Sequence, residues 1–152
     1  MRALAGLLLL WATGTHAFCF QAAAERYRLD PLLLESLAIH ESHMNPAAIN
    51  TNRNRAGQVT STDYGVMQIN SQHLPELRRL GLVSSPRELL SDSCLNVQVG
   101  AWILARTFRL CGAVSWDCLG AYNAGVRGDI ERRRHYSRDI YRIYTQLRKT
   151  SR

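Results

Sequence analysis

Apolar positions recur at helical spacing over most of the chain, and the intervals that break the pattern carry turn formers. In PLLLESLAIHES, residues 31–42, Leu34, Leu37 and Ala38 fall on one helix face. Asp30 is a good N-cap for this helix, and Pro31 suits the first helical position, where a missing N–H costs nothing. SPRE, residues 85–88, reads as a capping box. The run CLNVQVGAWILARTFRL predicts a longer apolar helix reaching Gly112, which is free to take the left-handed stop conformation. A shorter helix is expected after Ser115, ending near Gly125. A last one is expected from about Ser137 to Lys149, where Ile140, Ile143, Tyr144 and Leu147 share a face. Between the first helix and these lies NPAAINTNRNRAGQVTST, polar and rich in turn formers, which predicts a loop with at most a small hairpin. The expectation is a mainly α single domain with one irregular insertion.

The opening residues stand outside this pattern. MRALAGLLLLWATGTHAF carries one early charge at Arg2, an apolar core from Leu4 to Ala12 and a small-x-small ending at Thr15-His16-Ala17. That order predicts a secretory signal peptide over 1–17, cut after Ala17, and a mature domain over 18–152. As a membrane anchor the apolar core falls far short of the roughly 20 residues that span a bilayer. The phenylalanine before Cys19 argues against a lipidated cysteine. Export changes the meaning of the cysteines. Cys19, Cys94, Cys111 and Cys118 all lie beyond the cut, and an even count in an oxidising compartment predicts two disulfides. Of the three connectivities that four cysteines allow, the favoured one pairs Cys19 with Cys94, tying the N-terminus to the body, and Cys111 with Cys118 across a short loop. Zinc is disfavoured because there is no C-x-x-C pair.

The chain has 19 basic and 12 acidic residues, a formal charge of +7, and every basic residue except Lys149 is arginine. A basic exported protein suits an acidic surface or polymer: nucleic acid, anionic lipid or a cell wall whose peptides bear carboxylates. RRRH, residues 132–135, points to the first, but no aromatic residues interleave with basic ones as single-strand binding requires. Arginines on a solvated helix face account for the run, so no nucleic-acid partner is expected, and no membrane span after leader removal.

One residue of the first apolar stripe is not apolar. Glu41 lies four residues after Leu37 and seven after Leu34, on their face. A carboxylate there is costly unless neutral or hydrogen-bonded. Burial disfavours its charged form and the negative end of the helix repels it, so both push its pKa upward. A glutamate protonated near neutrality is what a general acid requires. The plain alternative is a helix that ends there, with Glu41 turned to solvent. HESH, residues 40–43, also raises the question of a metal. Metalloprotease helices place two histidines four apart in H-E-x-x-H; here His40 and His43 are three apart with no third ligand apparent, and neither metal nor organic cofactor is expected.

Three short motifs in order, HES at 40–42, YGVMQIN at 64–70 and GAYNAG at 120–125, together with Tyr136 before the last expected helix, resemble the lytic transglycosylase domain with its lysozyme-like fold. The resemblance runs from about Cys19 to Leu147. Small size and export resemble in particular the specialised members that accompany secretion systems, conjugation machines and pili in Gram-negative bacteria, which implies a periplasmic location. On this resemblance Glu41 matches the sole catalytic acid/base, and Ser42 the serine that helps orient the site. Gly65, Met67 and Gln68 match the motif lining the sugar groove, Tyr122 and Asn123 the pair facing the glutamate and the N-acetyl group, and Tyr136 the tyrosine closing that wall. Each has a plainer alternative: Gly65 and Gly125 serving turns, Met67 packing in the core, Tyr122 a buried aromatic with a satisfied hydroxyl.

The implied activity is cleavage of the MurNAc–GlcNAc β-1,4 bond of peptidoglycan by one carboxyl, with the muramic C6 hydroxyl closing a 1,6-anhydro ring. STDYG with the preceding TNRN also resembles animal-type lysozymes, which place a second catalytic aspartate there, so Asp63 is a possible second carboxylate of a hydrolase. Against this stand GAYNAG, absent from those lysozymes, and four cysteines instead of eight. An idle wall-binding module is the third alternative, and intact Glu41, Gln68 and Asn123 argue against it.

Overall fold

The structure is a computed structural model describing residues 18–151; the leader expected over 1–17 lies outside the described residues. Helix α1 spans Phe20–Tyr27 and α2 Pro31–Ser42. The N-cap of α2 is as its sequence asks: the Asp30 carboxylate accepts from Leu32 N–H at 2.8 Å, and Pro31 opens the first turn. Leu34, Leu37 and Ala38 have no exposed surface. The helix stops at His43, whose φ of +53° is left-handed. Helix α1 was not expected from periodicity. It makes no side-chain cap, and what fixes it is tertiary: Ala23 and Ala24 are buried, and Cys19 at its start is bonded to Cys94.

The polar interval after α2 forms more than a hairpin. Strands β1 (Ile49–Arg53), β2 (Val59–Tyr64) and β3 (Ile69–Asn70) pair antiparallel in that order. Every residue of β1 is exposed, so the apolar alternation that announces a strand has nothing to cover. The β1–β2 turn is held instead by Asn54, whose Oδ1 accepts from both Ala56 and Gln58 N–H at 3.0 Å.

A 3₁₀ turn at Ser71–His73 leads into α3 (Leu74–Arg79), and α4 (Pro86–Ser91) begins at the Ser85/Glu88 capping box. Helix α5 (Ser93–Cys111) is the central element; Val97, Ala101 and Leu104 are fully buried, and it ends at Gly112 with φ +89°. The region after Ser115 is two short helices, α6 (Trp116–Leu119) and α7 (Ala121–Ala124), where one was expected. They meet at Gly120, where a Cβ would stand 2.2 Å from the Arg133 carbonyl oxygen. The last helix, α8, runs Ile130–Thr150, starting well before Ser137, and Tyr136 lies inside it. Its true start is capped by Asp129, which accepts from Arg132 N–H at 2.8 Å. The periodicity missed this because the buried position there is a charged one. Arg133 is 9% exposed and donates to the carbonyls of Val126 (3.2 Å) and Asp117 (3.1 Å). No helix among the described residues is long and apolar enough to cross a membrane.

Cys19 is bonded to Cys94 and Cys111 to Cys118, 75 and 7 residues apart. Loop-closure entropy makes the first worth about 4 kcal/mol and the second about 2 kcal/mol. A C19A/C94A variant is therefore expected to lose about twice as much unfolding free energy in urea as C111A/C118A. Equal losses would show that strain or residual structure, not loop length, sets the contribution.

Candidate active site

The last turn of α2 brings the Glu41 carboxyl into an open groove of about 700 Å³, bounded on one side by the three-stranded sheet and on the other by α7 and the start of α8. Tyr136, 5% exposed and 95 residues away in sequence, donates its hydroxyl hydrogen to Glu41 Oε1. Burial pushes the Glu41 pKa up to about 7; the Tyr136 hydrogen bond pulls it down, and the charge of Asp63 pushes it up. The solvent-facing alternative for this glutamate does not hold. Tyr136→Phe removes the influence that lowers the pKa, so the Glu41 carboxyl is expected to titrate at higher pH in that variant, read by ¹³C NMR of the side chain. An unchanged or lower midpoint would show that the phenol does not stabilise the carboxylate.

The segment 65–68 forms the wall beside Glu41, and its residues divide between groove and core. Gly65 has φ +74°, and a Cβ there would stand 2.2 Å from Asn96 Nδ2, so conformation and space both demand glycine. Gln68 lines the groove, also in a left-handed conformation at φ +49°. Its Nε2 donates to the Gly65 carbonyl at 2.9 Å, and its Oε1 accepts from Asn50 Nδ2 at 2.8 Å, so its amide holds the wall together. Met67 does not line the groove. It is fully buried and packed against Gly100, where a Cβ would lie 2.8 Å from its own. It serves the site through its backbone: its N–H donates to Asn96 Oδ1 at 2.8 Å, and its carbonyl accepts from the Tyr122 hydroxyl at 3.1 Å. Nor does Ser42 face the groove. Its hydroxyl donates to the Val66 carbonyl at 2.8 Å and accepts from Asn45 N–H at 3.1 Å, tethering the end of α2 to this wall.

Opposite, Tyr122 and Asn123 of α7 line the groove. Burial holds the Tyr122 phenol well above its ordinary pKa, so it stays a neutral donor. Asn123 Oδ1 accepts from Arg132 Nε at 2.9 Å. Asp63 on β2 lines the groove too, with both oxygens engaged: Oδ1 accepts from Asn70 Nδ2 at 2.6 Å and Oδ2 from Asn52 Nδ2 at 2.7 Å. The same two amides reach Ser61 Oγ at 2.9 and 3.0 Å. The strand register makes this cluster, since Asp63 stands opposite Asn70 on β3 and two residues along β2 from Ser61, the partner of Asn52 on β1.

Sequence reasoning missed Asn52, Ser61, Asn70, Asn96 and Arg132. For Asn96 a signal was present: an amide in the middle of the apolar run of α5. For the strand asparagines there was none, because their roles come from cross-strand register. His40 packs edge-on against Tyr136, ring centroids 5.0 Å apart, and His43 caps α2. Among the described residues no group of three or more His, Cys, Asp or Glu could hold a metal ion. The arrangement is one near-neutral carboxyl beside a phenol donor, in a groove edged with amides, which suits proton donation to a bound polar polymer and recovery of that proton.

A family model described as the transglycosylase SLT domain matches residues 18–143. The chain is similar to a "Peptidoglycan-binding-like protein" of Escherichia coli O157:H7, 40% identical over 130 residues that cover 85% of this chain and 77% of that protein. It is similar to "Invasion protein IagB" of Salmonella typhi, 37% identical over 151 residues, covering 95% and 88% respectively. It also resembles an "X polypeptide" of Escherichia coli K12, 41% identical over 133 residues, 86% and 74% of the two chains.

Proposed function

The chain belongs to the transglycosylase SLT domain family, and from that premise we propose that it cleaves the MurNAc–GlcNAc β-1,4 bond of peptidoglycan with formation of 1,6-anhydro-MurNAc, using Glu41 as its single acid and base. The observation that carries this is the state of the Glu41 carboxyl, raised to about 7 by burial and hydrogen-bonded by Tyr136 within the groove. Protonated Glu41 donates to the glycosidic oxygen as the C1–O bond breaks. Positive charge develops at C1 of the muramic sugar, with its N-acetyl carbonyl available to stabilise it. The carboxylate then takes the proton from the C6 hydroxyl of the same sugar, whose oxygen closes on C1. An internal nucleophile held in place replaces water, so a second carboxylate is not required. Gln68, Tyr122 and Asn123 bind the strand, and Tyr136 poises Glu41 and stabilises its ionised form after proton donation. Ser42 and Met67 act from behind the wall by positioning it. No cofactor takes part.

Residues 1–17 act as a leader that delivers the domain to the periplasm, where it opens the wall for a secretion, conjugation or pilus assembly. The name of the Salmonella relative, an invasion protein, supports such a service role.

A two-carboxylate hydrolase using Glu41 and Asp63 is the second reading, favoured by the presence of both in one groove. Digestion of peptidoglycan in ¹⁸O-labelled water separates the two. Unlabelled 1,6-anhydro ends are expected. Asp63→Asn is expected to lower the rate only modestly, since Asp63 is tied to Asn52 and Asn70 as a strut of the sheet. Labelled reducing ends together with an inactive Asp63→Asn variant would establish hydrolysis.

A further inference from the structure

Beside Tyr136 lies a second, smaller cavity of about 330 Å³, lined by His40, Asn123, Arg132, His135, Tyr136 and Asp139. Asn123 and Arg132 line both this cavity and the main groove, so they form the sill between the two. Arg132 stands in the first turn of α8 and is exposed, with Nε donating to Asn123 Oδ1 at 2.9 Å. That bond fixes one edge of the guanidinium. Among the described residues its two terminal nitrogens have no hydrogen-bond or ion-pair partner. The neighbouring charges are engaged. Asp139 pairs with His135 at 3.1 Å and Arg142 at 3.6 Å, Arg106 pairs with Glu76, and Asp63 is held by two amides. Arg132 is thus an oriented, uncommitted fork of donors at the point where a side cavity leaves the groove.

Such a fork matches a carboxylate, whose two oxygens accept parallel N–H bonds. The sugars of an intact glycan strand are uncharged. Their carboxylates sit on peptide stems that branch from the lactyl group of each muramic sugar, and a branch off a groove-bound strand needs a side cavity to occupy. We propose that this cavity is a subsite for the peptide stem of peptidoglycan, with Arg132 binding a stem carboxylate; the inference rests on the peptidoglycan reading above.

Affinity tests it without turnover, in the Glu41→Gln background. The probes are a soluble tetrasaccharide-peptide fragment of peptidoglycan and the same fragment after an amidase has removed the peptides, which leaves a lactyl carboxylate behind. E41Q is expected to bind the peptide-bearing fragment about tenfold more tightly, the size of one charge-assisted contact, and E41Q/R132Q to bind both alike. Equal affinity of E41Q for the two fragments, or a preference that survives R132Q, overturns the subsite. So does an equal loss on both fragments with R132Q, which would make Arg132 a holder of Asn123 or a reader of the lactyl group. If E41Q binds neither fragment, the subsite falls together with the substrate class. Labelled-water product analysis of the wild type stands or falls separately, so failure of the cleavage chemistry and failure of the subsite are told apart.

Discussion

Glu41→Gln is expected to fold normally and to lose wall-cleaving activity by about 10²–10⁴-fold or more, because one group serves both proton transfers. The amide keeps the shape of the carboxyl and can still accept the Tyr136 hydroxyl bond, but it cannot give up and recover a proton. Wild-type activity is expected to fall as pH rises through about 7, where the acid form of Glu41 is lost. The stability consequence runs in the same direction with pH. Glu41 ionises less readily in the folded chain than its ordinary value of 4.5. Between those two values the folded state binds more protons than the unfolded state, so stability declines as pH rises through the window. The penalty is absent at low pH and complete above about 7. E41Q escapes it and should be more stable than wild type above neutrality, by calorimetry, while being inactive. Activity within a few-fold of wild type in folded E41Q would remove Glu41 from the chemistry. A variant that melts lower than wild type at every pH would show that burial of the carboxylate is not the penalty described.

Asn96→Ala carries the largest expected effect on stability. This side chain is fully buried on α5, accepts from Met67 N–H at 2.8 Å, and donates to the carbonyls of Tyr64 at 2.8 Å and Leu89 at 2.9 Å. One amide therefore joins the sheet, the groove wall and α4 to the central helix. Alanine leaves a buried donor and two buried acceptors unpaired, and each such group costs about 1–3 kcal/mol. A loss of about 3–5 kcal/mol is expected, read as a lowered urea midpoint. Activity should fall in the protein that remains folded, because Met67 also supplies the carbonyl that holds Tyr122. A loss below about 1 kcal/mol would mean that water takes over the three bonds and that the wall does not depend on Asn96.

Much of this molecule is written in short-range terms. The caps of α2 and α4, the glycine stop of α5 and the stripe that sets Glu41 among Leu34, Leu37 and Ala38 follow from spacing and hydrogen-bond capacity within a few residues. These effects act within one helical turn, so a linear sequence displays them. The start of α8 was hidden because its buried residue is an arginine, satisfied by carbonyls from elsewhere in the chain. Met67 and Ser42 carry the family motif, yet they stand behind the wall and not in the groove, since which face of a tight turn meets the core depends on what packs against it. The pairing of Glu41 with Tyr136, the anchoring of Asp63 by Asn52 and Asn70, and the orienting of the Arg132 guanidinium by Asn123 beside a side cavity arise only from elements brought together across the fold. Burial and long-range hydrogen bonds set the pKa and orientation of a side chain, and neither exists until the helices and the sheet have closed around it.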